Sequence, residues 1–187
     1  MNCTVYQIKV TIRNSRPPIW RRFQVFSDIT LYQLHGILQV VMGWTNSHLH
    51  QFRAGGIYYG KPDKELGMDV KNEKGVRLNK VLPKIKDRIV YEYDFGDGWE
   101  HDLVLENILS AEPEGKYPIA VKGKRACPPE DVGGIWGYGD FLEAIKNPNH
   151  PEHKTMIEWC GGSFDPEEFD IDEINWFYHP ELRKKDA

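Results

Sequence analysis

Val90-Tyr-Glu-Tyr-Asp-Phe-Gly-Asp-Gly-Trp-Glu-His-Asp-Leu-Val-Leu-Glu106 is two strand-like runs folded about a tight turn. Ile89, Tyr91 and Tyr93 alternate with Arg88, Val90 and Glu92 before the turn. Trp99, His101, Leu103 and Leu105 alternate with Glu100, Asp102, Val104 and Glu106 after it. A period of two is the mark of strands with two distinct faces. Gly96-Asp97-Gly98 supplies the permissive backbone of a hairpin connection. The turn also gathers Asp94, Asp97, Glu100, His101 and Asp102 between aromatic residues. Carboxylates and an imidazole crowded on a sharp turn make this the first place to look for a site.

Outward from the hairpin, the same period recurs upstream. Tyr6, Ile8, Val10 and Ile12 alternate with polar residues, Asn14 to Pro18 turns the chain, and residues 19–26 return as a second strand. Thr30-Leu-Tyr-Gln33 is a capping box, with Ile29 and Leu34 placed as a hydrophobic staple. Leu31, Leu34, Leu38, Val41 and Met42 fall on one helical face, and Gly43 is the natural stop. His48 to Ala54 reads as another strand, and Gly55-Gly56 turns into Ile57-Tyr58-Tyr59. Residues 60–76 read as a polar excursion loop. Leu78 to Ile85 reads as a short amphipathic turn broken by Pro83.

Past residue 112 the character changes. Tyr117 to Val121 reads as a short edge strand, and Cys127 to Gly134 as a proline-stiffened loop with an acidic pair. The rest reads as helices: one capped at Asp140 and closed by Pro148, one over Glu152 to Cys160, one opening at Asp165-Pro166, and a last segment starting at Asp170 or Asp172. The expected fold class is therefore α+β: a mixed or antiparallel sheet with a packed helix, β-grasp-like, followed by a helical C-terminal part. Strand, strand, helix is not the β-α-β alternation of a doubly wound sheet. The expected organisation is one domain over 1–187, with a core at 1–112 and an extension at 113–187 packed on it.

Composition bounds the function. The chain of 187 residues is 40% hydrophobic, enough for a core, and has no apolar run of the ~20 residues a bilayer span needs. The first residues lack a basic segment followed by an apolar one. Cys3, Cys127 and Cys160 are odd in number and far apart, so neither a disulfide framework nor a thiolate zinc site is implied. A cytoplasmic protein is the reading. Net charge is -4, and residues 127–187 carry 5 Lys+Arg against 14 Asp+Glu. Without a basic stripe, nucleic acid is not an expected partner. The acidic part is expected to pack on the more basic remainder.

Pro18-Ile-Trp-Arg-Arg22, Gly43-Trp44, His48-Leu-His50, Tyr93 to His101, Pro128 to Gly134 and Phe164 to Asp170 together resemble the Ri-plasmid ORF-three-like family. Its members are often labelled insertion-element passenger, TnpR-like proteins. The stretches run in order over nearly the whole chain. The resemblance implies a fold and a site with no reaction attached. Asp94-Phe-Gly96 matches a kinase tripeptide, but none of the other kinase motifs accompanies it. Asp94 and Asp97 lack the EF-hand spacing. A serine recombinase needs a nucleophilic serine supported by arginines. Only Ser15, near Arg13, Arg16, Arg21 and Arg22, remotely qualifies, and it is expected on a hairpin tip.

Two functional readings follow. In the first, Trp44, Tyr93, Trp99, Pro128, Pro129 and Trp136, with Asp94, Asp97, Glu130 and Asp131, form an aromatic and acidic groove. The protein is then a non-enzymatic binding or accessory module for a protein or small molecule. In the second, His48, His50 and His101 join the carboxylates as ligands of a divalent metal such as zinc or manganese, and the protein is a hydrolase or nuclease. Both readings require the 94–101 turn, the His48/His50 segment and the 128–134 loop to converge.

Overall fold

The structure, a computed structural model, describes residues 4–180 apart from 64 and 66. The elements in chain order are β1 (Thr4–Ile12), β2 (Trp20–Phe26), α1 (Leu31–Met42), β3 (His50–Ala54), β4 (Ile57–Gly60) and β5 (Lys71–Asn72). A 3-10 turn (Glu73–Gly75) and α2 (Leu78–Val81) follow. Then come β6 (Arg88–Tyr93), β7 (Trp99–Ser110), β8 (Ile119–Lys124), α3 (Gly134–Lys146), α4 (His153–Trp159) and α5 (Ile171–Tyr178). The strands form one eight-stranded sheet in the order β5-β4-β3-β6-β7-β1-β2-β8. Neighbours are antiparallel except β4 and β5, which are parallel. The hairpin that opened the sequence reading is the β6–β7 pair, with Tyr93 opposite Trp99 and Tyr91 opposite His101.

The alternation seen in sequence is the alternation of burial. Ile8 and Val10 of β1, Phe23 and Val25 of β2, Tyr91 and Tyr93 of β6, and Leu103 and Leu105 of β7 are all buried. Leu31, Leu34, Leu38 and Val41 of α1 join the same core. Fully burying each such side chain contributes roughly 1.5–3 kcal/mol. The capping box forms as read: Thr30 Oγ1 accepts from the Gln33 amide, and Gln33 Oε1 accepts from the Thr30 amide at 2.9 Å. Gly43 ends α1 at φ 82°. Arg21 fastens that end of the helix to the sheet. Its buried guanidinium donates to the Val41 carbonyl at 3.0 Å and stacks over Phe169.

The outer face of the sheet is charged and paired. Arg13 bonds Glu100 and Asp102, and Arg22 bonds Glu106. Ser15 is therefore not the centre of an arginine cluster. It is buried, its Oγ donating to the Ile12 carbonyl and accepting from the Ile19 amide, which closes the β1–β2 turn.

Several boundaries differ from the sequence reading. The 60–76 excursion contains β5 and a 3-10 turn, and the latter buries Glu73. β8, from the stretch expected as an extension, completes the sheet edge beside β2. α3 starts at Gly134, six residues before Asp140, because Gly133 in the left-handed region (φ 90°) caps it instead. Asp165-Pro166 opens a turn rather than a helix, whereas Asp170 does cap α5, accepting from the Asp172 and Glu173 amides. Cys127 and Cys160 are free thiols, and Cys3 lies outside the described residues. Among the described residues, no helix is long and apolar enough to cross a membrane.

Candidate functional site

The β6–β7 turn is wound around Asp94. Its Oδ1 accepts from the Gly96 amide at 2.9 Å, and its carbonyl accepts from the Gly98 amide at 2.6 Å. This is the Asx-type chemistry that lets a short acidic side chain replace a backbone partner. Asp94 takes φ 56°, in the left-handed region that aspartate tolerates better than most residues. Its amide donates to the Leu49 carbonyl, which draws the segment before β3 alongside.

That segment leaves α1 at Gly43 and is pinned from within. Trp44 is buried, stacks on Tyr93 at 5.0 Å, and donates its indole N–H to the Pro128 carbonyl at 3.0 Å. The Tyr93 hydroxyl then holds three segments at once. It donates to Glu130 Oε1 at 2.5 Å and accepts from the Ser47 and His48 amides at 2.9 and 3.3 Å. Glu130 Oε2 accepts from the Thr45 hydroxyl and amide. Burial and the neighbouring Glu130 carboxylate push the Tyr93 phenol far above its ordinary range. Burial opposes ionisation of Glu130, yet the donors from Thr45 and Tyr93 outweigh it and hold the carboxyl below its ordinary value. On the other flank, Asp97 Oδ2 accepts from the Gly133 amide at 3.1 Å. A Cβ on Gly134 would lie 2.3 Å from the Asp97 carbonyl oxygen, so only glycine allows this approach.

The 94–99 turn, the 44–48 segment and the 128–134 loop thus meet. At the junction, His48 Nδ1 lies 3.6 Å from Asp94 Oδ2 and His48 Nε2 lies 3.3 Å from Asp131 Oδ1. The Nε2 contact lacks hydrogen-bond geometry. One donor atom from each of His48, Asp94 and Asp131 lies within 4.8 Å of the others. Asp94 is buried and Asp131 exposed. Asp131 is also left-handed, at φ 61°, as is Asn46 at φ 60°. Left-handed non-glycine residues concentrated where three segments meet are the kind of stored strain found at functional positions.

Two parts of the sequence reading are corrected. The histidine trio does not assemble. His48 precedes β3, so the strand period that was to align it with His50 does not operate. His50 instead stacks on His35 and pairs with Glu73 at 2.9 Å. His101 is fully buried, with Nδ1 on the Tyr91 carbonyl at 3.3 Å, and burial lowers its pKa to about 4. The aromatic groove is not open either. Trp44, Tyr93 and Trp99 are buried and form the floor beneath the site, whereas Trp136 is exposed. Among the acidic residues, Glu130 and Asp97 are spent on holding loops, leaving Asp94 Oδ2 and Asp131 beside His48. The sequence reading did not single out Thr45, His35 or Glu73 as contributors. Nothing local marked them, because the partners that matter, Glu130 for Thr45, Tyr91 for His35 and His50 for Glu73, are distant in sequence.

The chain belongs to the family described as plasmid pRiA4b ORF-3-like protein, whose profile matches residues 4–173. It is 42% identical over 168 residues to the uncharacterized protein y4hQ of Sinorhizobium fredii, covering 87% of this chain and 84% of that one. Its fold matches the crystal structure of MM3350, a protein of unknown function from Methanosarcina mazei Go1. That match has a TM-score of 0.82 and 37% identity, over 91% of this chain and 97% of the other.

Proposed function

We propose that this member of the plasmid pRiA4b ORF-3-like family is a binding module that recognises its ligand through one divalent cation held by His48, Asp94 and Asp131. The supporting observation is the spacing of those three donor atoms, all within 4.8 Å of one another. Bonds of about 2.0–2.2 Å require donors to lie at most about 4.4 Å apart, so a small movement of the exposed Asp131 side chain closes the set. One imidazole and two carboxylates suit zinc, manganese or iron. Three protein ligands leave coordination positions for a carboxylate or phosphate of a small molecule or protein. The hydrogen bonds at Glu130 and Asp97 supply the rigid support such a site needs.

The same open positions would admit a water nucleophile, which is what favours the second reading, a metal-dependent hydrolase. Recombination is outside the proposal, because the Ser15 hydroxyl is buried and committed to backbone groups. An association with insertion elements would then be that of an accessory protein. Action in the cytoplasm is part of the proposal and agrees with the free Cys127 and Cys160. The test is metal content and calorimetric titration with Zn²⁺ and Mn²⁺. One equivalent should bind, and His48→Ala or Asp131→Ala should abolish it. Equal, weak binding by all three proteins would overturn the proposal. Turnover of ester substrates only in the metal-loaded protein would select the hydrolase.

A further inference from the structure

His48 also lines a half-open cavity of about 790 Å³, walled by α1, the segment entering β3, Lys61, Met68 and residues 72–74. Its polar floor is built from a closed ring of hydrogen bonds. The Asn46 amide donates to Gln39 Oε1, and Gln39 Nε2 donates to the Tyr91 hydroxyl. The Tyr91 hydroxyl is 2.8 Å from His35 Nδ1, and His35 Nε2 is 2.8 Å from Asn46 Oδ1. Asn46 Oδ1 can only accept, so His35 Nε2 carries the proton and Nδ1 accepts from Tyr91. Burial lowers the His35 pKa to about 4, so this ring is a neutral, fixed plate. His50 stacks on it face to face, with ring centroids 3.4 Å apart and planes 5° apart. The Glu73 carboxylate, almost fully buried, bonds His50 Nε2 at 2.9 Å. Nδ1 of His50 has no hydrogen-bond partner among the described residues.

The fold alone gives little reason for this arrangement. A buried carboxylate is costly, and a His–Glu pair on a stacked imidazole is a poor substitute for apolar packing. The cavity's lining sets two lysines against the single Glu73 carboxylate, which is already engaged by His50, and adds apolar surface. The lysines are Lys61 and Lys74, Lys74 lies 4.7 Å from the Tyr32 ring centroid, and Leu49 and Met68 supply the apolar surface. A second, independent observation comes from α1. Gly36 sits in the middle of that helix, where glycine costs roughly 1 kcal/mol relative to alanine. A Cβ there would meet nothing within 4 Å, so no protein neighbour demands the glycine. Gly36 lines the cavity, so a large side chain at this position has room to reach across its opening.

We propose that this cavity binds a small amphiphilic organic anion, its charged head between Lys61, Lys74 and His50 and its apolar body against Leu49, Met68 and Tyr32. The volume suits a ligand of drug-like size. The inference does not rest on the cation proposal: His48 lies on the cavity's edge but is not among the groups proposed to hold the anion, and Asp94 and Asp131 lie outside the lining. The test uses the full chain and the fluorescent sulfonate 8-anilinonaphthalene-1-sulfonate, with Gly36→Leu as a plug. Leucine favours the helix and enters open space, so Gly36→Leu keeps or raises the melting temperature. The wild type should bind the probe saturably, one to one, with or without EDTA. Gly36→Leu should lose binding, and Lys61→Glu with Lys74→Glu should weaken it about tenfold or more. Wild-type affinity in Gly36→Leu, or no saturable binding by the wild type, overturns the inference. So does binding that EDTA and Asp131→Ala abolish while Gly36→Leu retains it. That result would place the anion on the cation instead and leave the cation proposal standing.

Discussion

Tyr93→Phe removes one oxygen atom that three chain segments share. That oxygen donates to Glu130 at 2.5 Å and accepts from the Ser47 and His48 amides at 2.9 and 3.3 Å. The ring itself, fully buried and stacked on Trp44, is unchanged. A hydrogen bond contributes a net of about 0.5–1.5 kcal/mol, and one to a charged group about 1.5–3 kcal/mol. Glu130 and His48 are partly open to solvent, so water compensates some of the loss, and the 3.3 Å contact counts least. The expected cost is about 2–3 kcal/mol. For a chain of this length each kcal/mol shifts the melting temperature by roughly 2–4 °C, so the variant should melt roughly 4–12 °C lower. Urea denaturation of Tyr93→Phe, Glu130→Gln and the double variant measures the coupling, expected at about 1–2 kcal/mol. Because the lost bonds position His48 and the loop carrying Asp131, cation affinity should fall about tenfold as well. A loss below about 0.5 kcal/mol with additive variants would refute the shared lock.

Gly134→Ala places a Cβ against the Asp97 carbonyl at a left-handed φ of 68°. It should cost roughly 2–4 kcal/mol by thermal melting and weaken cation binding more than Tyr93→Phe does. An unperturbed melting temperature would contradict the close approach. Stability should also fall with acidity above the carboxylate range. His101 has a folded pKa of about 4 against 6.5 unfolded, so only the unfolded chain takes up its proton in that window. The contribution is complete above about pH 6.5, is lost as pH falls toward 4, and amounts to about 3 kcal/mol. His35 acts in the same direction. Urea midpoints at pH 7 and pH 4.5 measure the slope, and a flat profile would contradict the neutral burial of both rings. Leu38→Ala, in the centre of the α1–sheet contact, should cost about 2–5 kcal/mol without changing the cation's ligands.

What the sequence carried best was periodicity with matching punctuation. The β1, β2, β6 and β7 strands and α1 alternate cleanly and end at capping or turn residues, so local chemistry and burial agree. The convergence of the 94–101 turn, the His48/His50 segment and the 128–134 loop was legible in part: prolines 128 and 129 and the turn glycines mark the turn and the loop that meet, but of the His48/His50 segment only His48 reaches the junction, while His50 pairs with Glu73. The ligand set was less legible. His48 and His50 are two apart, but the strand begins only at His50, and one residue of irregular backbone sends the two rings to different partners. His101 follows the core-facing parity of Trp99 and Leu103, which the alternation already showed. An imidazole suits metal ligation and core packing alike, and here the strand parity decides for packing. Glu73 could not be found, since its burial depends on a polar excursion folding back under α1.

The most direct test is an anomalous difference map from crystals grown with zinc, collected at the zinc absorption edge. One strong peak is expected about 2.0–2.2 Å from a His48 nitrogen, an Asp94 oxygen and an Asp131 oxygen. A map without density there, with the His48 ring still lying between the two carboxylates, would contradict the cation proposal.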